Sequence, residues 1–218
     1  MQRHFDRELE QLKSRVLHMG ATVEELVTCS IHALMEGDAG LAKEAVRIEE
    51  EIDQQEIQIE EECLKLLALH QPVAGDLRFV TAVLKINNDL ERMGDLGRHI
   101  AERALVLANH RECRLPVDLR RMAAAVQRMV HRSLDSLMER DAELALQVVH
   151  ADDEVDDYLK EMFQIVENKM RSHPDTIQPL LHVLSASRHL ERIADYATNI
   201  AEDVVYLVRG DIIRHRQP

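Results

Sequence analysis

One segment of this sequence occurs twice, and that duplication constrains the fold more than any other feature. Residues 89–95 read DLERMGD, and residues 189–195, which lie 100 positions later, read HLERIAD. An earlier pair of matching segments, 34–42 (LMEGDAGLA) and 137–145 (LMERDAELA), lies 103 positions apart. A chain that repeats itself in this way folds as two similar units. The change of offset predicts a connection that is three residues shorter in the second unit.

The composition and the apolar pattern favour helices. Only 7 Gly and 5 Pro are present, aromatic residues make up 3% of the chain, and apolar residues recur at steps of three and four. Asp38, Asp76 and Asp141 are suited to cap helix N-termini, and Gly210 is suited to a C-cap. Together these signals predict three helices in each half, at about residues 5–35, 38–70 and 76–109, and then 117–140, 141–171 and 176–210.

The predicted fold class is all-α, with two pseudo-symmetric antiparallel three-helix bundles that arise from the duplication. Short connections between helices are typical of antiparallel neighbours. The segment 110–116 is polar and basic and carries the first clear shift in composition. We therefore predict one bundle over residues 1–110 and the other over residues 117–210, with almost no strand in either.

Several classes of function are disfavoured by the composition. The net charge of −13 argues against direct nucleic-acid binding. Cys29, Cys63 and Cys113 lack zinc-site spacing, and their odd number suits a reducing compartment. No signal-peptide core or membrane span is present, so a cytoplasmic protein is expected. The sequence contains no phosphate-binding glycine loop, GxSxG or HExxH motif and no Glu-x-x-His pair, so we predict no active site.

Pairs of acidic residues with i, i+4 spacing occupy matching positions in the two halves. The sequence has five Glu/Asp-x-x-x-Asp pairs, and one of them, Asp153 with Asp157, has no counterpart in the other half. Each acid of the matching pairs comes directly after an apolar or small residue. This position places the acid beside the buried stripe of its helix. The matching pairs are Glu49/Asp53 and Glu91/Asp95 in the first half, and Asp152/Asp156 and Glu191/Asp195 in the second.

The position of these pairs along the helices predicts that they meet. In each half the two pairs lie at similar distances before and after the predicted turn, so antiparallel helices place them at one height and on one face. Four converging carboxylates either raise a pKa or bind a cation. Oxygen ligands suit Mg, Ca, Mn or iron, with zinc also open. Additional ligands could come from the same faces: His99, Asn199, Glu102 and Glu202. The other interpretation is a solvated acidic face, neutralised by Arg92, Arg98 and Arg192.

These features resemble the PhoU family of phosphate-specific transport system accessory proteins. The resemblance covers essentially the whole chain. It rests on residues 88–95 (NDLERMGD) and 188–195 (RHLERIAD) in the third helix of each bundle, together with the Glu/Asp-x-x-x-Asp pairs of the second helix. It implies a cytoplasmic, often homodimeric regulator of phosphate uptake. Such a regulator contacts the membrane only through partners, which are the ATPase subunit of an ABC phosphate transporter and a sensor histidine kinase. It keeps phosphate-starvation genes off when phosphate is ample.

Some members of the family bind multinuclear iron or zinc clusters through such pairs. Carried over by position, that role falls on the eight acids at 49, 53, 91, 95, 152, 156, 191 and 195. Asp152 stands where the first half has Glu49, and its shorter side chain predicts two inequivalent sites. Two other functions remain open at this point: a metal-cluster hydrolase acting on phosphate esters, and a helical adaptor that binds no metal.

Overall fold

The computed structural model describes residues 2–108 and 119–210, which form six helices and no strand. A short 3-10 turn, Pro174–Thr176, precedes the last helix. The predicted all-α fold is confirmed. The helices are α1 (Gln2–Glu36), α2 (Ala39–His70), α3 (Ala74–Ala108), α4 (Arg120–Glu139), α5 (Ala142–Ser172) and α6 (Ile177–Arg209).

Matching N-caps begin the second helix of each half. A carboxylate oxygen of Asp38 accepts hydrogen bonds from the backbone N–H groups of Gly40 and Leu41, and Asp141 does the same for the N–H groups of Glu143 and Leu144. Each cap satisfies donors that a helix start leaves without an intrahelical partner. Both predicted caps are therefore confirmed, and the duplication extends to the details of its helix starts.

The first turn of α3 differs from the prediction. The helix begins at Ala74, so Asp76 lies inside the first turn and does not cap it. There its carboxylate still favours the helix, because the N-terminus carries partial positive charge. At the other end of the chain, Gly210 adopts a φ of 75° and closes α6 as predicted. The predicted start of α4 at residues 117–118 and the predicted boundary at 110–116 lie outside the described residues.

The two bundles meet where α1 packs against α4 and where α3 packs against α6. Lys85, early in α3, lies 3.6 Å from Asp203, late in α6, whereas the rings of His99 and His189 are 5.5 Å apart. Helices α3 and α6 are therefore antiparallel, and α2 and α5 flank the four central helices on opposite sides. The buried apolar side chains of both halves form one continuous core. None of the described helices combines the length and the apolar run that a membrane span needs.

Two glycines allow helices to approach closely. A Cβ atom added to Gly97 of α3 would lie 2.7 Å from Leu26 Cγ of α1, and one added to Gly20 of α1 would lie 2.0 Å from Leu134 Cδ1 of α4. At the first contact the buried hydroxyl of Ser30 also donates to the Gly97 carbonyl at 2.9 Å. The absence of side chains at these positions sets how closely α1 approaches α3 and α4.

The Gly97→Val substitution is expected to destabilise the fold. Leu26 is fully buried and has no space to move into, so the added methyl groups overpack the α1–α3 contact. We expect a loss of about 2 kcal/mol and a fall of about 4–8 °C in melting temperature. Gly75→Val is the control, because nothing lies within 4 Å of a Cβ at that position of the same helix. Equal melting temperatures for the two variants would show that the close contact is unimportant.

Candidate functional site

The four acid pairs lie on the helices and in the register that the sequence predicts. The residue one position before nearly every acid is buried, which confirms that the pairs border the core. Because α3 and α6 run antiparallel, the acid pairs of both helices lie about halfway along the length over which the two helices pack. We call Glu49, Asp53, Glu91 and Asp95 the first acid cluster, and Asp152, Asp156, Glu191 and Asp195 the second acid cluster.

In the first acid cluster the carboxylates of α2 and α3 lie close enough to perturb one another. Burial raises the pKa of Glu49, and the negative charges of Asp53 and Asp95 add to that rise. Glu49 is only 4% exposed, and its Oε1 atom lies 3.5 Å from Arg98 Nε. The arginine opposes the rise in the pKa of Glu49. The pKa of Glu91 is also raised, mainly by burial. The first cluster is therefore acidic but carries its own buried counter-ion contact.

In the second acid cluster the mutual repulsion is stronger. Burial, followed by the charges of Asp195, Asp156 and Glu191, raises the pKa of Asp152 to about 6. The pKa values of Glu191 and Asp195 are also raised, again mainly by burial. The Oδ1 atom of Asp152 is buried, and no hydrogen-bond partner for it lies within the described part of the chain. This cluster thus holds an uncompensated buried oxygen among like charges.

One substitution between the repeats contributes to this difference in addition to burial. Position 98 is Arg in the first half, and position 198, which is equivalent to it, is Thr. Among residues 4–108 and 119–210, no Arg, Lys or His nitrogen lies within 4.0 Å of any carboxylate of the second cluster, whereas Arg92 and Arg98 make such contacts in the first. The second cluster therefore has more unneutralised charge to offer a cation.

The additional ligands predicted from sequence have other neighbours. The ring of His99 faces His189 of α6, and the carboxylate of Glu102 lies 3.9 Å from Arg98. Asn199 and Glu202 are both half-buried on α6. Within the described ranges, no group of three or more His, Cys, Asp or Glu side chains is placed to hold a metal ion. The ligand set of twelve residues therefore stays a prediction.

The donor chemistry of the acid clusters nevertheless fits a cation. All eight acids offer oxygen ligands, like charges crowd together, and the buried Asp152 Oδ1 has no partner in the described chain. Asp53 and Asp195 are exposed, so their side chains are free to rotate toward a bound ion. The chain supplies a converging set of acids, and closing a coordination shell requires such rotations.

A basic group between α3 and α6 was missed by the sequence analysis. His99, Arg103 and His189 lie together at this contact. Burial lowers the pKa of His189 to about 4, and the positive charges of His99, Arg103 and Arg192 contribute to that shift. The signal in the sequence was the change of charge between equivalent positions: residue 103 is Arg, while residue 203 is Asp.

With this geometry established, the relatives of the chain decide its family. The PhoU domain family matches residues 16–104 and 119–204, one match in each bundle. The chain belongs to the PhoU family. It is 42% identical to the phosphate-specific transport system accessory protein PhoU homolog of Pseudomonas aeruginosa, over 97% of this chain and 88% of that protein. The homolog of the same name in Aquifex aeolicus is 37% identical, over 96% of this chain and 95% of that protein.

Crystal structures of PhoU family members have the same fold. The structure of PhoU from Pseudomonas aeruginosa superposes with a TM-score of 0.88 at 41% identity and covers 95% of this chain and 100% of that chain. The phosphate transport system regulatory protein PhoU from Streptococcus pneumoniae superposes with a TM-score of 0.86 at 31% identity, over 95% of this chain and 98% of that one. The resemblance inferred from the duplicated LER motif is therefore confirmed, as is the paired-bundle fold.

The second acid cluster makes the metal-free protein sensitive to pH. The folded-state pKa of Asp152 is raised from 3.8 to about 6, so protonation favours the folded state. Its contribution to stability is fully present below about pH 4 and is lost as the pH rises through about 6. We expect the melting temperature in the presence of a chelator to fall over that interval. Asp152→Asn should raise the melting temperature at about pH 7 and flatten the curve.

The control for this experiment is Asp153→Asn, which removes the same charge from the exposed neighbouring position. It should leave the pH dependence of the melting temperature close to that of the wild type. Parallel curves for the wild type and Asp152→Asn would show that the buried carboxyl is not the source of the pH dependence.

Proposed function

We propose that the protein is a regulator of phosphate uptake that acts as an accessory protein of a phosphate transport system in the cytoplasm. Family membership supports this role, because relatives that match nearly the whole chain carry that name. The single structural observation behind the mechanism is the pair of acid clusters on neighbouring helices of a rigid scaffold. Clusters of unneutralised carboxylates are suited to bind cations and basic surfaces of other proteins.

The proposed partners are the ATPase subunit of the ABC phosphate transporter and a sensor histidine kinase. Binding of both would report the state of the transporter to the kinase and keep phosphate-starvation genes off when phosphate is ample. The protein would reach the membrane only through these partners. We further propose that it acts as a homodimer, which sedimentation of the purified chain over a range of concentrations would test.

Bound cations would regulate the docking of partners at the two acid clusters. The first cluster is partly neutralised by Arg98, whereas the second has no ion pair in the described residues. Iron or zinc held in multinuclear clusters is the proposed occupant, and Mg, Mn and Ca are the other cations that oxygen ligands suit. A bound cation would remove the repulsion between the carboxylates of a cluster. It would either neutralise the charge of that cluster or bridge the cluster to acidic side chains of a partner.

Elemental analysis tests the metal proposal. Untagged protein purified without added metal is expected to contain stoichiometric iron or zinc. The quadruple alanine variant at Glu91, Asp95, Glu191 and Asp195 should lose it, because half of the ligands in each cluster are gone. The double variant Asp153→Ala with Asp157→Ala should retain the metal, since both residues lie outside the acid clusters and are exposed. Metal-free wild-type protein that is folded and stable would instead favour the adaptor that binds no metal.

A binding experiment tests the docking proposal. The ATPase subunit should bind the wild-type protein, and Asp95→Lys with Asp195→Lys should weaken that binding at least about tenfold, a change of about 1.4 kcal/mol. Asp153→Lys with Asp157→Lys changes the net charge equally and should have little effect. Equal affinities for all three proteins would place the docking surface elsewhere. Metal-dependent turnover of a phosphate ester by the wild type, lost in the quadruple variant, would favour the hydrolase.

A further inference from the structure

The two ends of the contact between α3 and α6 are equivalent by the duplication but differ in charge. At one end, Lys85 of α3 lies 3.6 Å from the buried carboxylate of Asp203 in α6. At the other end, the residues 100 positions away in sequence are Ser185 of α6 and Arg103 of α3. The acid of the first end is thus replaced by a base, and the base is replaced by a neutral hydroxyl.

Among the described residues, Arg103 at this second end has no carboxylate in contact with it, and His189 and His99 lie close by. We call His99, Arg103, Ser185 and His189 the basic seam. The rings of His99 and His189 are 5.5 Å apart, and the Ser185 hydroxyl lies 3.4 Å from His189 Nε2. Among the residues that the structure describes, no carboxylate oxygen lies within 4.0 Å of a nitrogen of Arg103 or His189. In a chain of net charge −13, such a group is unusual.

The basic seam also contains polar atoms without partners. Arg103 Nε and His189 Nδ1 are both buried, and neither has a hydrogen-bond partner in the described chain. A buried polar group without a partner costs free energy, and the cost is larger for a charged group. An arginine fork beside a histidine and a hydroxyl presents the donors that bind oxyanions in proteins.

We propose that the basic seam binds a small tetrahedral oxyanion of the inorganic phosphate type between α3 and α6. The anion takes the space that the longer Lys85 side chain fills at the equivalent end, and it pairs with Arg103 as Lys85 pairs with Asp203. The Arg103 guanidinium supplies the charge and the principal hydrogen bonds, and His189 and Ser185 supply further donors. The seam lies between two packed helices and its residues are half-buried, which suits a small ion more than an extended polymer.

This site is separate from the acid clusters. The acids of each cluster interact across α2 and α3 or across α5 and α6, whereas the basic seam is formed between α3 and α6. The inference stands independently of the partners proposed above, because it requires only residues of this chain. Occupancy would add charge-assisted contacts between the two bundles at one end of their interface.

Titration of the full-length protein with inorganic phosphate tests the proposal. Metal is first removed and the chelator dialysed away, so that phosphate cannot bind through a cation in the acid clusters. Calorimetry in a buffer without oxyanions should show saturable binding of one phosphate per chain, and chloride at equal ionic strength should show none. The absence of saturable binding up to about 10 mM phosphate would overturn the proposal.

Two variants that change the net charge equally distinguish the seam from general electrostatics. Arg103→Gln should weaken phosphate binding at least about tenfold, because it removes the main donor. Lys85→Gln removes one positive charge from the equivalent end of the same interface and should change the affinity less than about twofold. Circular dichroism confirms that each variant is folded. Equal losses in both variants would identify weak binding to surface charge and overturn the site, as would wild-type affinity in Arg103→Gln.

Ser185→Asp gives a test that does not depend on losing a donor. It places a carboxylate beside Arg103, as Asp203 stands beside Lys85, and so occupies the position of the anion. Phosphate binding should be lost, while the melting temperature in the absence of phosphate should rise by about 2–4 °C. Undiminished phosphate binding in Ser185→Asp would overturn the proposal even if Arg103→Gln failed to fold.

Discussion

The antiparallel contact between α3 and α6 is the constraint on which the rest of the structure depends. It joins the two bundles, makes their apolar cores continuous, and brings the middle of each duplicated LER segment to the same height. The acid clusters then lie on either side of the central pair of helices, in the angles with α2 and α5. Without this contact each bundle would expose the apolar stripe that it now buries against the other.

The helices and their order were predictable because they depend on local signals. The three- and four-residue spacing of apolar side chains determines each helix. Asp38 and Asp141 determine where α2 and α5 begin, and Gly210 determines where α6 ends. Asp76 misled the prediction, since an acid in the first turn and an N-cap have the same sequence signature. The difference between them lies in the backbone at the helix start, where Gln71, which precedes the helix, and Ala74, its first residue, adopt positive φ values.

The acid clusters were predictable in outline because the helical register and the position of the turn determine which residues of two antiparallel helices lie side by side. What the sequence left undetermined is how far each side chain reaches across to the next helix. The Arg98 side chain contacts the buried Glu49, although the sequence was equally consistent with a solvated arginine. Likewise, the ring of His99 faces His189 of another helix. The basic seam was missed because its two i, i+4 pairs, His99 with Arg103 and Ser185 with His189, come from different bundles. Only the packing of α3 on α6 brings them together.

The symmetry of the two interfaces has an implication for the history of the chain. Helices α1 and α4 are antiparallel, because Arg120 lies near Glu36 and His131 near Glu24. Antiparallel contacts of α1 with α4 and of α3 with α6 are those that two identical three-helix units would make about a twofold axis. The present chain thus has the architecture of a dimer whose subunits have been fused. In a true dimer every substitution appears twice, so opposite charges at equivalent positions are forbidden. Fusion removes that restriction, and Arg98 against Thr198, or Arg103 against Asp203, are differences that only a single chain can encode.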